Sequence, residues 1–283
     1  MNLEVVKDYW NRQPCNINHS SNPKETKEYF DEVETKKYFV EPHIPGFADF
    51  NKWKDKEVLE LGCGIGTDSI NFVRAGAKLT VVDISNVSLD ICKKRFDIYG
   101  LTATFICESI ETIDTIIKDK KFDLIYSFGV IHHTVEPKNV INCVKKLLSE
   151  DGEFRFMVYS KVSYKLFWLM MENKITDIKE GYKVVRNQSE AQKDCPITHI
   201  YDFNEIETNL LDDSFKIKSI WKDHIFIYDI DNYKQHKYIK DKYWCNTTNE
   251  EIQQLSKELG WHTMVISKLN INNNTYIKDY LRK

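Results

Sequence analysis

The residues best placed to do chemistry sit in one turn, Glu60-Leu61-Gly62-Cys63-Gly64-Ile65-Gly66, with Thr67 and Asp68 directly behind it. Glycine lets a backbone turn sharply and approach a ligand closely, and a helix starting there would offer unpaired N–H groups. Asp83 closes the next apolar run, 21 positions after Gly62. That separation sets a carboxylate against the two hydroxyls of a bound ribose, so an adenosine-type cofactor is the leading ligand.

Two such cofactors compete. A dinucleotide site reads G-x-G-x-x-G and rests its pyrophosphate on the helix N-terminus. Here Gly62, Gly64 and Gly66 read G-x-G-x-G, and Thr67 stands where the third dinucleotide glycine belongs. Carboxylates at Glu60 and Asp68 would repel a pyrophosphate, yet they suit the ammonium and sulfonium groups of S-adenosylmethionine (SAM). The turn favours SAM.

The elements that must position this turn form a regular series. Short apolar runs at Glu57–Leu61, Lys78–Asp83, Thr102–Cys107, Phe122–Ser127 and Glu153–Tyr159 read as strands. Helical patterns lie between them at Asp68–Ala75, Ser88–Tyr99 closed by Gly100, Ile110–Lys118 and Pro137–Leu148. Such alternation is the mark of a parallel sheet flanked by helices. Before this core, residues 1–50 read as a helical cap: a helix near Val5–Arg12 stopped by Pro14, then one from about Pro23 to Val40. Ser21 or Asn22 would cap the second helix, and Pro42 and Pro45 would end it. The core spans 51–160. Residues 161–283 hold lid insertions around two late strands, Phe215–Trp221 and Thr263–Leu269.

Composition narrows the class of partner. A net charge of -3 with 29% charged residues lacks the basic excess that phosphate neutralisation demands, which disfavours nucleic acid. Seven cysteines without a C-x-x-C pair imply reduced thiols and no structural metal. The N-terminus lacks a signal-peptide layout, and no apolar run approaches the roughly 18 residues of a span. A soluble, cytoplasmic protein that does not enter the membrane is expected.

Val58-Leu59-Glu60-Leu61-Gly62-Cys63-Gly64-Ile65-Gly66 resembles motif I of the class I SAM-dependent methyltransferases, in their bacterial small-molecule form. Val81-Val82-Asp83-Ile84-Ser85 resembles the second motif, and Phe122-Asp123-Leu124-Ile125-Tyr126-Ser127 the fourth strand. Gly260-Trp261-His262-Thr263-Met264-Val265 is similar to the antiparallel last strand. The resemblance implies a Rossmann-like α/β fold: a seven-stranded sheet of five parallel βα steps and a final antiparallel strand. It implies that Glu60 and the backbone of Gly62, Cys63 and Gly64, beside Thr67 and Asp68, hold the methionine portion of SAM. Asp83 would take the ribose and Ile84 would pack on adenine. Glu108, Ser109 and Ile110 would meet the adenine edge; many family members have Asp at the position of Glu108. Phe128, Gly129, Val130 and His133 would close over the cofactor, whose product is S-adenosylhomocysteine (SAH).

The acceptor side is read from the residues. SAM already carries an activated methyl group, so a base is needed only if the acceptor must lose a proton. His132 and His133 follow the fourth strand, and His224 follows Asp223 at the end of a late strand, so these three are the candidate bases. In the cap, Tyr9 and Arg12 are candidates for the cofactor, Arg12 through its bidentate fork, with Trp10 and His19 for the acceptor. Tyr159, Tyr164, Tyr201, His224 and Tyr228 complete the acceptor candidates, with Glu190 and Gln192 as further polar groups. The expected function is methyl transfer to a small molecule or short peptide enclosed by cap and lid. The alternatives are a protein or RNA methyltransferase, and a non-catalytic SAM- or SAH-binding module. No Asn/Asp-Pro-Pro-aromatic tetrad follows the fourth strand; Ser127-Phe128-Gly129-Val130 stands there, which argues against amino-group methylation of nucleobases or glutamine.

Overall fold

A computed structural model describes residues 2–188 and 195–271, so Glu190 and Gln192 lie outside the described residues. Strands β1 (Glu57–Leu61), β2 (Lys78–Asp83), β3 (Thr104–Cys107), β4 (Phe122–Phe128), β5 (Leu148–Tyr159), β6 (Phe215–Asp223) and β7 (His262–Leu269) form one sheet. Their order is β3-β2-β1-β4-β5-β7-β6. β1 pairs in parallel with β2 and β4, whereas β7 runs antiparallel between β5 and β6. This is the seven-stranded sheet expected from the sequence. Strand order reverses between β1 and β4, and in such sheets the ligand crevice opens at the carboxyl ends on either side of that switch.

The central strands are apolar on both faces because helices cover both. On one face Leu124, Tyr126, Val81 and Met264 pack with Phe72 of α4 (Thr67–Arg74) and Phe96 of α5 (Asn86–Tyr99). On the other, Phe122, Phe154 and Phe156 pack with Val144 and Leu147 of α6 (Pro137–Leu147). Local signals set the bounds. Ser85 accepts the Ser88 N–H to start α5, and Gly100, at φ +64°, closes it.

Three local expectations are corrected. The second cap helix starts at Lys27, not Pro23: α2 (Lys27–Val40) is capped by Thr26, which accepts the Tyr29 N–H at 3.2 Å. Ser20 and the Asn22 side chain instead donate to Glu32 at 2.5 and 2.8 Å. Pro42 does end α2, but it also opens α3 (His43–Ala48), with Pro45 inside that helix's first turn, where a missing N–H costs nothing. The helix expected at Ile110–Lys118 is only a 3-10 turn, Ile113–Thr115. Its β-branched run stiffens the side chains, and the Thr112 and Thr115 hydroxyls donate to carbonyls three residues back.

The first cap helix, α1 (Leu3–Arg12), lies against α5 through Ser85, whose hydroxyl donates to Asn11 Oδ1 at 2.8 Å. After β5 the chain forms α7 (Tyr164–Glu172) and α8 (Ile178–Asn187), then α9 (Phe203–Glu205), which runs into a π-helical turn, Ile206–Leu211. Between β6 and β7 come α10 (Ile230–Lys234) and α11 (Asn249–Leu259). This insertion meets α2: Lys36 Nζ sits 4.4 Å over the Tyr233 ring, and Phe39 packs on Tyr228 and Tyr238 at 6.0 and 4.8 Å. Among the described residues, no helix is long and apolar enough to cross a membrane.

Candidate active site

The glycine turn is fixed by its neighbours. Gly62 N donates to Val82 O at 2.7 Å and Gly66 N to Cys63 O at 2.9 Å. Gly62, Gly64 and Gly66 all have positive φ, +82°, +51° and +77°, where a side chain is strained. A Cβ on Gly62 would stand 2.4 Å from a Val130 methyl, and one on Gly66 2.5 Å from Cys92 Sγ. These two glycines let neighbouring elements pack. Gly64 differs: nothing lies within 4 Å of its Cβ position, which leaves its backbone open to the cavity.

Asp83 joins β2 to this turn. Its Oδ2 accepts Gly64 N at 2.8 Å and its Oδ1 accepts Ser85 N at 2.8 Å. Burial pushes the carboxyl up to about 6, against the pull of those two N–H groups. Each oxygen keeps a second lone pair for a further donor. Glu60 lies deeper. Burial, reinforced by the charge of Asp68, pushes it up to about 8, although Ser69 donates to it at 2.5 Å. Asp68 accepts Lys37 Nζ at 2.8 Å, Tyr38 at 3.0 Å and Tyr126 at 2.9 Å. It is therefore engaged as a latch between α2 and the sheet. For Lys37 itself, burial works against the charged form, but Asp68 and Glu41 outweigh it and raise the ammonium.

A cavity of about 1570 Å³ opens over the carboxyl ends of the strands. Of the cofactor candidates, Gly62, Cys63, Gly64, Thr67, Asp83, Ile84, Ser109, Ile110, Phe128, Gly129, Val130 and His133 line it. Of the acceptor candidates, Trp10, His19, Tyr159, Tyr164, His224 and Tyr228 do. Tyr9, Arg12, Glu60, Asp68, Glu108, His132 and Tyr201 are not on its wall. The reasons are local. Tyr9 is packed inside α1 at 2% exposure, while its neighbour Trp10 faces His133 with ring centres 5.3 Å apart. Arg12 Nε donates to Asp8 O within its own helix, Glu108 accepts the Ser109 N–H, and Tyr201 bonds through its backbone to Tyr159.

His132 and His133 are adjacent on a 3-10 turn, Ile131–His133, yet they part. The His132 ring is buried 3.8 Å from that of Tyr159, with no hydrogen-bond partner at either nitrogen. Burial lowers it well below the usual histidine range. His133 Nδ1 donates to Ile197 O at 2.8 Å, which makes Nε2 the basic nitrogen of its neutral ring.

Beyond Phe128, whose ring lies 5.6 Å from that of His262, the cavity holds residues that sequence reasoning missed. Glu41, Trp261 and His262 line it, and His43 packs behind them. His43 Nε2 and His262 Nδ1 are 3.1 Å apart, and Glu41 Oε1 lies 3.8 Å from His262 Nδ1. The His224 ring stacks on His262 at 4.5 Å. Burial lowers His43 to about 4 and takes His224 and His262 well below the usual range. The sequence placed His262 only inside the segment similar to the last strand; the register that pairs it with both Tyr159 and Asp223 comes from the structure.

The fold and this glycine turn define a class, the class I SAM-dependent methyltransferases, and the chain carries a methyltransferase domain of that kind. Residues 58–152 match the family described as "Methyltransferase domain". Over 109 residues the chain is 32% identical to a ubiquinone biosynthesis O-methyltransferase of Actinobacillus pleuropneumoniae serotype 7, covering 38% of this chain and 47% of that protein. The chain thus spans about half the length of the curated relatives it matches. Among solved structures, magnesium protoporphyrin IX methyltransferase of Synechocystis PCC 6803, with bound SAH, is similar with a TM-score of 0.58 at 14% identity, over 94% of this chain and 99% of that one. The N-methyltransferase NodS of Bradyrhizobium japonicum, also with SAH, has a TM-score of 0.53 at 11% identity, over 94% and 98%. At such identities these two structures speak for the fold.

Proposed function

We propose that this chain binds SAM between the glycine turn and Asp83 and transfers its methyl group to a small-molecule acceptor held between cap and insertion. The observation that carries this is the cavity. At about 1570 Å³ it exceeds the roughly 300–1000 Å³ that encloses one drug-sized ligand, and it runs from Gly64 and Asp83 to His262 and Tyr228. It has room for a cofactor and a second molecule.

The residues fit the cofactor. Gly64 presents open backbone, Asp83 has lone pairs to spare for two ribose hydroxyls, and Ile84 and Ile110 offer apolar walls for a purine. SAM, when bound, supplies a methyl group already activated on a sulfonium. The chain's part is to orient the acceptor and exclude water. Phe128, Trp10 and Tyr159 line the cavity with aromatic rings, and Lys36 and Phe39 hold Tyr233 and Tyr228 of the insertion, which line it too. Relatives that match part of the chain are O-methyltransferases by name, which agrees with a small acceptor.

Calorimetry with SAM and SAH tests the first half, and transfer of label from methyl-labelled SAM into fractionated cell extract the second. One-to-one binding and label in the small-molecule fraction are expected. Absence of SAM and SAH binding would sink the reading, and label confined to protein or RNA would refute the acceptor class.

A further inference from the structure

From the arrangement of Glu41, His43 and His262, we propose that the acceptor end of the cavity is a binding site for a divalent transition-metal ion of the zinc type. The three side chains offer two imidazole nitrogens and one carboxylate oxygen, and these donor atoms all lie within 4.8 Å of one another. An ion held at roughly 2.1 Å by each donor sets their mutual separations at roughly 3.0–4.2 Å. The His43 Nε2 to His262 Nδ1 distance of 3.1 Å and the His262 Nδ1 to Glu41 Oε1 distance of 3.8 Å fall inside that range. The remaining pair, Glu41 and His43, lies within the same 4.8 Å. Two histidines and one glutamate form a donor set that zinc enzymes use with a fourth position open, and nitrogen with oxygen suits zinc-type ions over calcium or magnesium.

The surroundings are those of a metal site as well. Asp223 Oδ1 stands 4.0 Å from His43 Nδ1, on the side of the ring away from His262. At that distance the carboxylate makes no hydrogen bond to the ring, but its charge favours a cation held by the imidazole's other nitrogen. The pair is shielded by the rings of Phe128, His224 and Tyr159, at 5.6, 4.5 and 6.1 Å from His262. Two cations stand near the group: Lys37, neutralised by Asp68 at 2.8 Å, and Lys165, whose Nζ sits 4.8 Å over the Trp261 ring. Glu41 and His262 both line the cavity, so the open position faces the space where an acceptor would lie. An acceptor with an anionic oxygen or sulfur is the class such an ion would hold. The site itself is made by α3, the end of α2 and β7, and does not depend on SAM being the cofactor.

The test uses the untagged full chain, stripped with a chelator, desalted and kept free of SAM. Zn²⁺ is titrated against a chromophoric chelator, and Co²⁺ binding is followed by its visible d–d absorption. One Zn²⁺ per chain and a Co²⁺ band are expected in the wild type. Glu41→Gln and His43→Gln should weaken Zn²⁺ at least tenfold and abolish the band, while Cys245→Ser, at an exposed thiol, should match the wild type. A wild-type chain with no Co²⁺ band overturns the proposal, whatever the variants do. So does equal Zn²⁺ binding by Glu41→Gln and His43→Gln. SAH calorimetry on the same samples reports separately on the cofactor end.

Discussion

Asp83→Ala is the most informative single perturbation of the cofactor end. In the wild type the carboxylate accepts two backbone N–H groups, Gly64 and Ser85, each at 2.8 Å, from a position only 8% exposed. Alanine leaves both donors unpaired: the buried Ser85 N–H costs about 1–3 kcal/mol, and the Gly64 N–H, which faces the cavity and can meet water, costs about 1 kcal/mol. Folding stability should therefore fall by about 2–4 kcal/mol, read by urea denaturation. Binding should suffer more. Two ribose hydroxyls donating to a charged group are worth about 1.5–3 kcal/mol each. Their loss predicts SAH affinity lower by a factor of about 10² to 10⁴ at 1.4 kcal/mol per tenfold. Asp83→Asn keeps the shape and one acceptor oxygen, and should fall between wild type and alanine on both scales. Calorimetry with SAH at a temperature where circular dichroism shows all three proteins folded separates the two effects. If folded Asp83→Ala binds SAH within threefold of the wild type, the ribose assignment fails.

Three further outcomes follow from the same geometry. Lys37→Met should destabilise the protein by about 3 kcal/mol, because it leaves the Asp68 carboxylate buried without its cation; Lys37→Met/Asp68→Asn should recover at least half in a urea double-mutant cycle, and full additivity would refute the latch. Burial raises Glu60 from 4.5 to about 8, so the folded chain holds the proton more tightly than the unfolded chain. Stability from this group is then full below pH 4.5 and is lost as pH rises to about 8, at up to about 1.4 kcal/mol per pH unit. Glu60→Gln should flatten that slope in the ligand-free protein, and an unchanged slope would count against a neutral Glu60. Gly66→Ala should cost about 2 kcal/mol or more in a melting experiment, since its Cβ meets Cys92 Sγ at 2.5 Å and its φ is +77°; Cys92→Ala should relieve the contact but leave the backbone strain.

What was legible in the sequence is what the backbone itself demands. The G-x-G-x-G turn and Asp83 could be read because close packing at Gly62 and Gly66, and an Asp83 carboxylate that pairs two backbone N–H groups, leave few other residues possible. The succession of strands and helices along the core followed from apolar runs at regular spacing, and the seven-stranded sheet from the resemblance. The side-chain partnerships were not legible. Asp68, in the first turn of α4, suits a cationic ligand as well as it suits Lys37, and only the docking of α2 decides between them. His132 and His133 differ by one position on a tight turn, so sequence could not tell which ring would be buried and which would line the cavity. Pro23 drew the start of α2 four residues too early, because the Thr26 cap depends on a hydroxyl that sequence alone weighs equally with Ser21 and Asn22.

The histidines beyond Phe128 show why topology, and not proximity along the chain, composes that part of the cavity. His43 and His262 are 219 positions apart. β7 runs antiparallel between β5 and β6, so its first residue, His262, arrives where the parallel strands end; the register pairs it with Tyr159 at the end of β5 and Asp223 at the end of β6. The proline that ends α2 turns the chain into α3 and brings His43 over the same point. The glycine turn and Asp83, by contrast, lie inside the segment that matches the methyltransferase domain, residues 58–152, while Glu41, His43, His224 and His262 all lie outside it. One end of the cavity can therefore stay fixed by the backbone of β1 and β2, while residues from the cap and the last two strands change what the other end holds.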